Sequence, residues 1–429
     1  MAIAMQTLTS ATPETPETPP QALAGLRVLE LAHPAGQYCG KMFAELGADV
    51  ILIEPPQGAA ARARGPFIGD RPGDDGGVSR SLVFSYFNTS KRGITLNLDD
   101  AEGQALFRRL AASADLVIEC AQPGLMEGRG CGYAALSASR PSLVMASITA
   151  FGQSGPYAHY AAEDLIGLAT GGFLYLGGYP DTAPIGAYGD QALAGASMFG
   201  GVAAMIAITQ AENTGQGEHV DVSMQECMVM AMENAVQFYD LEGTVRKRNA
   251  GEQRFAGTGV YECLDGHVYM MAGGIGANRF WGLTLEWLAD EKVVGVERLQ
   301  GPEWTGTAYL ASAEAKQIFQ DVFGAWAKTQ TKAYIYKEGQ RRHVPAAAIN
   351  TTADLVASAQ LADRGYFVSV PHAALHVPMV MPGAPYQLEQ TPWSMKGPAP
   401  ALGEHNAAVY GALGLDATAL ASLVQRGVI

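Results

Sequence analysis

The sequence has few positive charges and no block of them typical of a polyanion-binding surface. Its 429 residues include 28 Lys and Arg against 42 Asp and Glu, so the formal net charge is −14 at pH 7. Because contacts to nucleic-acid phosphates need clustered Lys and Arg, this balance argues against a nucleic-acid partner. It still allows a small anionic ligand in a local basic pocket. The 48% share of apolar residues predicts a globular chain with a large core.

Cysteine is also scarce, and the familiar cofactor motifs are missing. The five cysteines form no CxxC pair and no Cys/His ladder, which argues against a disulfide framework or a zinc site. His372 and His376 stand four residues apart, but prolines flank them, so a helical metal site is not predicted. The chain lacks the GxGxxG, P-loop, HExxH, GxSxG and EF-hand patterns. We expect no metal and no permanently bound cofactor.

Signals for secretion or membrane insertion are absent as well. Residues 1–22 have no basic segment followed by an apolar one, and their Thr-Pro-Glu repeat predicts a disordered tail. Residues 192–209 are uncharged and long enough to be a transmembrane candidate. They are mostly Ala and Gly, with Asp190 just upstream and no basic cluster beside them, so we predict a buried helix. We expect a soluble, cytoplasmic protein with no membrane partner.

What the sequence does contain is an alternation of short apolar runs and helical patterns. The runs cover residues 26–31, 48–56, 94–98, 115–119 and 143–148. Asp100 is a suitable N-cap for a helix that reaches Ala114. Strand, helix and strand within about 30 residues form a βαβ unit, which requires a parallel sheet. The fold class predicted for the first half is α/β, with a doubly wound parallel sheet.

The pattern changes near residue 224. Residues 224–243 predict one long Met-rich helix, and Asp265-Gly266 predicts the turn of a β-hairpin. We therefore predict a large domain over residues 23–224 and a smaller α+β domain over 225–335. Residues 336–429 form a third part, with Pro-rich loops and a last helix near 417–425.

Three acidic residues stand beside glycine-rich apolar segments. Glu163 and Asp164 open the run LIGLATGGFLYLGG, and Asp190 precedes a helix punctuated by glycine. Each of them can be an ordinary helix cap. Alternatively, desolvation can raise the pKa of such a carboxylate or sharpen its nucleophilicity. The residues alone leave both interpretations open.

A basic set lies upstream of these acids. It consists of Arg62, Arg64, Lys91 and Arg92. Such side chains can neutralise the phosphates of a nucleotide-like ligand at the mouth of the sheet, or they can be solvated loop residues.

Several segments keep a characteristic order along the chain. They are LAGLRVLELAHPAGQYCGKMFAELGADVILIEPP, FNTSKRGITLNLDDAEGQALFRRL, DLVIECAQPG, GRGCGYAALSASRPSLVMASITAFGQSGPY, AEDLIGLATGG, GQGEHVDVSMQE and PAPALGEHN. In this order they resemble the family III CoA-transferases, a superfamily that includes formyl-CoA transferase, carnitine CoA-transferase and α-methylacyl-CoA racemase. The resemblance covers residues 23–415. It implies a Rossmann-like large domain built from both chain ends, a small lobe between them, and an interlocked homodimer.

The resemblance also implies a mechanism. Asp164 matches the family's nucleophile and would attack an acyl-CoA donor, for example succinyl-CoA, to form a mixed anhydride. The released CoA thiolate would then give an aspartyl-CoA thioester, from which an organic acid takes the CoA. CoA would lie against His33, Ala35, Arg62, Arg64, Asn88, Lys91, Arg92, Cys120 and Ala121. Glycine loops that shield the intermediates would contain Gly257, Gly259, Gly273 and Gly274.

Other functions remain open. A racemase would use Asp190 and Glu163, although the racemases have a histidine at the position of Glu163. The family's usual proline is Gln37 here, and its ENFRPG stretch reads ECAQPG, which puts some CoA contacts in doubt. This chain could therefore be one subunit of a heteromeric enzyme such as a benzylsuccinate CoA-transferase. A binding or scaffold protein is the non-enzyme alternative.

Overall fold

The structure is a computed structural model that describes residues 20–429 except 72–73, 76–77, 274–277, 373–374 and 376–377. Of the predicted disordered tail, residues 1–22, the first 19 residues lie outside the described residues. The chain forms two compact units. The first contains the chain up to Gly171, Tyr188–Ala231 and Tyr366–Ile429, and the second contains Gly172–Ala187 and Met232–Gly365.

The first unit is built on a parallel sheet. Its strands in chain order are β1 (Arg27–Leu31), β2 (Asp49–Glu54), β3 (Asp74–Asp75), β4 (Val78–Ser79), β5 (Arg92–Thr95), β6 (Leu116–Glu119), β7 (Val144–Thr149) and β8 (His219–Ser223). Apart from β3 and β4, which pair with each other, these strands form one sheet in the order β5-β2-β1-β6-β7-β8. The chain winds outward from β1 in both directions, which confirms the doubly wound α/β prediction. Ligands of such folds bind at the carboxyl ends of the strands, where the winding direction changes.

Eight helices of this unit lie in the chain before residue 232. They are α1 (Gln37–Glu45), α2 (Leu82–Phe87), α3 (Ala101–Ala111), α4 (Leu125–Gly128), α5 (Tyr133–Ser137), α6 (Asp164–Thr170), α7 (Gln191–Thr214) and α8 (Met224–Met230). Asp100 caps α3 as predicted, since its Oδ1 accepts the N–H of Glu102 at 2.8 Å and of Gly103 at 3.2 Å. An aspartate at this position satisfies N–H groups that have no partner within the helix.

Helix α7 contains residues 192–209, the uncharged segment for which the sequence predicted a buried helix. Among the described residues it is the one continuous helix long and apolar enough to cross a membrane, and half of its most apolar stretch is buried. Small residues on the buried side, such as Gly200 and Ala204, let it pack closely on β7 and α1. The helix that the sequence predicted to be buried is therefore buried on one side.

The second unit contains an antiparallel sheet of β9 (Thr258–Cys263), β10 (Gly266–Met271) and β11 (Ala346–Ile349), in the order β11-β10-β9. Asp265-Gly266 lies at the predicted hairpin. The helices here are α9 (Ala235–Glu242), α10 (Asn278–Asp290), α11 (Thr307–Leu310), α12 (Ala313–Phe319), α13 (Ala325–Ala327), α14 (Lys332–Arg341), α15 (Thr352–Val356) and α16 (Ala359–Asp363). An aromatic core that includes Trp287, Tyr261 and Phe319 holds them together.

The C-terminal segment adds β12 (Phe367–Val370), β13 (Met379–Pro382), α17 (Asn406–Ala412) and α18 (Ala417–Gln425) to the first unit. Tyr410 of α17 is buried and donates a hydrogen bond to the carbonyl of Thr95 at 2.7 Å. Both chain ends therefore build one core, as the resemblance implied. Short 3₁₀ turns lie at Ala60–Ala63, Ile68–Asp70, Phe173–Leu176, Val296–Leu299 and Pro302–Thr305, and a π-helical turn lies at Gln320–Gly324.

The boundaries of the second unit differ from the predicted domain at 225–335. The main part of the second unit begins only at Met232, because α8 packs against α6 and α7 and belongs to the first unit. The predicted long helix over 224–243 is interrupted near Glu233, whose φ of 52° lies in the left-handed region. The second unit also continues to Gly365, because β11 pairs with β10. It further includes Gly172–Ala187, which the sequence placed in the large domain.

Candidate active site

A cavity of about 180 Å³ opens at the carboxyl ends of β1, β6 and β7. This is the edge where the winding of the sheet reverses, so the fold itself predicts a ligand site here. The cavity brings together four residues that the resemblance assigned to CoA: His33, Ala35, Cys120 and Ala121. Its wall also includes Gln122, Tyr160 and Leu193, which the sequence did not single out as contacts.

A second, larger cavity of about 600 Å³ adjoins the first, because His33, Cys120 and Ala121 line both. It extends along the carboxyl ends of β2 and β5, and Arg129 is one of its lining residues. Arg129 forms an ion pair with Asp99, whose side chain is 81% exposed. Such an exposed partner is easily displaced by a bound anion. Sequence reasoning missed Arg129, although it stands in the GRGCGY segment that carried part of the resemblance.

His33 lies on the wall between the two cavities. Its Nδ1 accepts the backbone N–H of Ala35 at 3.2 Å. Burial lowers the pKa of His33, and the positive charge of Arg64 lowers it further. Both effects favour the neutral imidazole. Because Nδ1 accepts a hydrogen bond, the proton of that neutral ring lies on Nε2, which is a hydrogen-bond donor at the site.

Asp164 is the residue that the resemblance assigned as nucleophile. Its Oδ1 accepts the backbone N–H of Ala192 at 2.7 Å and of Leu193 at 3.1 Å. These N–H groups belong to the first turn of α7, so Asp164 caps this helix from 28 residues upstream. The pKa of Asp164 is raised above its ordinary value. Partial burial is the main cause and the charge of Asp190 adds to it, while the two backbone hydrogen bonds oppose the rise.

Asp190 immediately precedes α7, yet its side chain makes no capping hydrogen bond. Its Oδ1 instead accepts a hydrogen bond from Nη2 of Arg64 at 2.7 Å. The carboxylate remains 21% exposed. Glu163 is exposed and likewise makes no capping hydrogen bond at the start of α6. The site thus contains two different carboxylates, one that caps a helix and one held by an arginine.

Of the predicted basic set, Arg64 and Arg62 lie near the carboxyl edge of the sheet. Arg62 is buried, donates from Nε and Nη2 to Glu54 at 2.7 and 2.8 Å, and stacks on the ring of Phe84. Its Nη2 also donates to the carbonyl of Pro400 at 3.0 Å. Its charge is therefore used inside the fold, where it joins the C-terminal segment to β2.

Lys91 and Asn88 belong to a fully buried network. The ammonium of Lys91 lies 2.7 Å from a carboxylate oxygen of Glu30 and donates to Asn88 Oδ1 at 2.9 Å and to the carbonyl of Gln37 at 2.8 Å. Arg92 lies at the opposite, amino end of the strands, where it forms a bidentate pair with Asp49. We therefore do not propose Asn88, Lys91 or Arg92 as contacts for CoA.

The predicted oxyanion glycines belong to the second unit. Gly257 donates its N–H to Gln253 Oε1 at 3.3 Å, and its carbonyl accepts the N–H of Ala272 at 2.8 Å. Gly259 is part of β9, and the carbonyl of Gly273 accepts a hydrogen bond from the hydroxyl of Thr258. Gly274 lies outside the described residues. Their role at oxyanions stays a prediction.

No group of three or more His, Cys, Asp or Glu side chains suited to a metal ion occurs in the part of the chain that the structure describes. His372 is buried, and its Nε2 lies 3.3 Å from the hydroxyl oxygen of Ser85. His376, the other half of the predicted pair, lies outside the described residues.

Comparison with known proteins shows which family the chain resembles. Residues 23–406 match the family described as "CoA-transferase family III". The chain is 35% identical over 411 residues to "Succinyl-CoA:(R)-benzylsuccinate CoA-transferase subunit BbsE" of Thauera aromatica, covering 95% of this chain and 98% of that one. It is 32% identical to "Succinyl-CoA--D-citramalate CoA-transferase" of Chloroflexus aurantiacus, covering 96% and 98%. The crystal structure of a CAIB/BAIF family protein from Brucella suis superposes with a TM-score of 0.79 at 29% identity, covering 92% of this chain and 100% of that chain.

Proposed function

Because the chain belongs to CoA-transferase family III and is an enzyme of CoA-transferase type, we propose that it moves CoA from succinyl-CoA to an organic acid. CoA thioesters are the substrates of such enzymes. Succinyl-CoA stands in the names of both relatives described above, and the acceptors in those names, (R)-benzylsuccinate and D-citramalate, are carboxylates. The observation that carries the proposal is the pair of adjoining cavities at the carboxyl edge of the sheet. Leu193 lines the smaller cavity, and its N–H binds the carboxylate of Asp164, on which the charge of Asp190 also acts.

We assign CoA to these two cavities by size and charge. The nucleotide end fits the 600 Å³ cavity, where Arg129 supplies a guanidinium for the phosphates. The pantetheine arm would pass the shared wall of His33, Cys120 and Ala121 and bring the thioester to the smaller cavity. That cavity includes Leu193, whose N–H binds Asp164, so the thioester would arrive near the start of α7.

We propose Asp190, in place of Asp164, as the nucleophile. Acylation turns a carboxylate into a neutral anhydride, which is a much weaker hydrogen-bond acceptor. Acylation of Asp164 would therefore weaken the cap of α7 in every turnover. Asp190 has no capping bond to lose, and Arg64 holds its carboxylate ionised and oriented. A carboxylate prepared in this way suits covalent catalysis.

CoA transfer through Asp190 then takes place in four steps. A carboxylate oxygen of Asp190 attacks the donor thioester carbonyl, the C–S bond breaks, and CoA leaves as thiolate from a mixed anhydride. The thiolate attacks the aspartyl carbonyl, which releases the donor acid and leaves an aspartyl-CoA thioester. The acceptor carboxylate reverses these steps. When Asp190 is acylated, the guanidinium of Arg64 is free to pair with the carboxylate that leaves or enters.

Two isosteric variants separate the two aspartates. In Asp164→Asn the amide oxygen still accepts the N–H groups of α7, whereas in Asp190→Asn the nucleophile is lost. Each protein is mixed with succinyl-CoA without an acceptor, digested with chymotrypsin, which cleaves between the two positions after Phe173 and Tyr188, and examined by mass spectrometry. We expect a CoA adduct on the peptide of Asp190 in the wild type and in Asp164→Asn, and none in Asp190→Asn. An adduct on the peptide of Asp164 would restore the original assignment.

The racemase alternative has a direct test. It requires Glu163 and Asp190 to exchange the α-proton of a branched acyl-CoA, but Glu163 is exposed in the structure. Deuterium incorporation from deuterated water without any CoA adduct would favour it.

We also propose that the enzyme works as an assembly of chains. Helix α7 exposes Met198, Val202 and Ile206 at i, i+4 and i+8, an apolar stripe along one face. The name of the Thauera aromatica relative describes it as a subunit. Light scattering after size exclusion measures the mass of the purified chain, and a monomer without transferase activity would indicate that a different subunit is missing.

A further inference from the structure

A third cavity, of about 570 Å³, lies at the amino ends of β1, β2 and β5. These ends form the opposite edge of the parallel sheet from the candidate active site. Neither the resemblance nor the proposed reaction assigns a function to this edge. The charged residues of the cavity are Arg27, Arg92, Arg140, Lys396, Asp49 and Asp115.

These six residues give the cavity a charge opposite to that of the protein. Four cations face two carboxylates, so the local balance is 4 − 2 = +2, while the whole chain has a formal charge of −14. Such a local excess of positive charge attracts anions. The four cations also come from separate parts of the chain, so folding brings them together.

The two carboxylates orient the arginines without using all of their donors. Asp49 binds Nε of Arg27 at 3.1 Å and both Nε and Nη2 of Arg92. Asp115 binds Nη2 of Arg140 and the backbone N–H of Arg27. Within the described chain, Nη2 of Arg27, Nη1 of Arg92 and Nη1 of Arg140 have no hydrogen-bond partner, because the bonds of these side chains end at Asp49, Asp115 and the Ser113 hydroxyl.

Two further donors add to this set. Nε of Arg140 is buried without a partner among the described residues. The ammonium of Lys396 makes one long hydrogen bond, 3.3 Å to the carbonyl of Gly47. A buried guanidinium N–H without an acceptor is costly, and an anion that accepts this N–H would remove that cost.

We propose that this cavity is a second anion site, which binds the phosphate group of a small phosphate monoester. Three guanidinium groups and one ammonium group approach from different strands and loops, and a phosphate presents three terminal oxygens in three dimensions to accept them. A carboxylate presents two oxygens in one plane and would leave part of the donors unused. Arg92, which the sequence singled out for phosphate binding, thus belongs to an anion site at the other edge of the sheet.

Isothermal titration of the full-length protein with inorganic phosphate, at low ionic strength and a pH where phosphate is a dianion, tests the proposal. We expect the tightest phosphate site to be one that Arg27→Gln/Arg140→Gln weakens at least tenfold. Lys396→Gln should weaken it about threefold, and this variant breaks one long hydrogen bond only, so it keeps the fold. Succinate should bind at least tenfold more weakly than phosphate.

Two control variants identify the site. Arg129→Gln removes the cation of the proposed CoA cavity, and Arg298→Gln removes an exposed arginine of the second unit. Both should leave phosphate affinity unchanged. The proposal is overturned if the wild type binds no phosphate, if Lys396→Gln and the double variant bind it normally, or if Arg129→Gln abolishes binding. Succinate binding as tight as that of phosphate, and lost in Arg27→Gln/Arg140→Gln, would overturn the choice of phosphate, since succinate bound at the proposed active site would persist in that variant.

Discussion

Substitution of Lys91 by Met distinguishes a buried structural lysine from a CoA-binding one. The side chains of Lys91 and Glu30 are both 0% exposed, and their charged groups lie 2.7 Å apart. Removal of one partner of a buried ion pair leaves the other charge uncompensated and costs about 3–5 kcal/mol. This is a large part of the total stability of about 5–15 kcal/mol typical of a folded protein. We expect Lys91→Met to lower the free energy of unfolding by that amount near pH 7.

The loss should grow with pH, and the sign follows from Glu30. Burial raises the pKa of Glu30 from 4.5 to about 7, and the charge of Lys91 opposes this rise. Without Lys91 the folded-state pKa is therefore higher still. A carboxyl group with a raised folded-state pKa stabilises the protein below its unfolded pKa, and this contribution is lost as the pH rises through the folded pKa. Above pH 7 the variant should thus lose further stability relative to wild type, by up to about 1.4 kcal/mol per pH unit.

Urea unfolding followed by circular dichroism at about pH 6 and about pH 8 measures both effects. Lys328→Met is the matched control, since Lys328 pairs with Glu262 at the surface, and we expect it to unfold like the wild type. The double variant Glu30→Met/Lys91→Met should recover part of the loss, because no unpaired charge remains. The reasoning would be refuted if Lys91→Met unfolds like the wild type and instead raises KM for the CoA donor.

Two further substitutions test local packing. Gly40→Ala places a methyl group against Glu30 Oε2 in the same buried network. We expect it to lower the free energy of unfolding in urea by about 1–3 kcal/mol. Gly128→Ala is the control, because its methyl group meets no atom within 4 Å. Arg248→Ala removes the guanidinium that donates to the carbonyl groups of Tyr175, Tyr179 and Thr182, so we expect chymotrypsin to cleave residues 173–182 several-fold faster than in the neighbouring control Lys247→Ala. An equal cleavage rate in the two variants would mean that Arg248 does not hold this segment.

The sheet of the first unit was predictable because its strands are apolar on both faces. Runs such as residues 115–119 and 143–148 have no helical period and end at turns. These two features together predict a buried strand. Strand β8 was missed, since only Val222 and Ser223 of its five residues are buried and the polar His219 and Asp221 mask the pattern. Strand β11 was missed because Ala346–Ala348 has no strand propensity of its own, and pairing with β10 creates it.

The roles of the basic residues were harder to predict, and Lys91 and Arg92 show why. They are neighbours in the sequence, and both carry the charge that a phosphate site needs. Arg92 begins β5 at the amino edge of the sheet, whereas Lys91, one residue earlier, is enclosed by Glu30, Asn88 and Gln37. The sequence shows that a charged side chain is present, but the carboxylate that pairs with it belongs to another strand, and only the fold brings the two together.

The same limit applies to the two aspartates, and here it changes the chemistry. Sequence rules give the capping of α7 to the residue just before it, Asp190. The helix is capped instead by Asp164, from 28 residues away. Because the carboxylate of Asp164 already accepts N–H groups in the first turn of α7, Asp190 makes no capping hydrogen bond and pairs with Arg64 instead. On this argument Asp164 is needed for catalysis only as far as it positions α7, so Asp164→Asn should keep kcat while Asp164→Leu, which cannot accept the N–H groups, should lower kcat and thermal stability together. Equal loss of kcat in both variants would show that the charge of Asp164, and not its cap, takes part in the reaction.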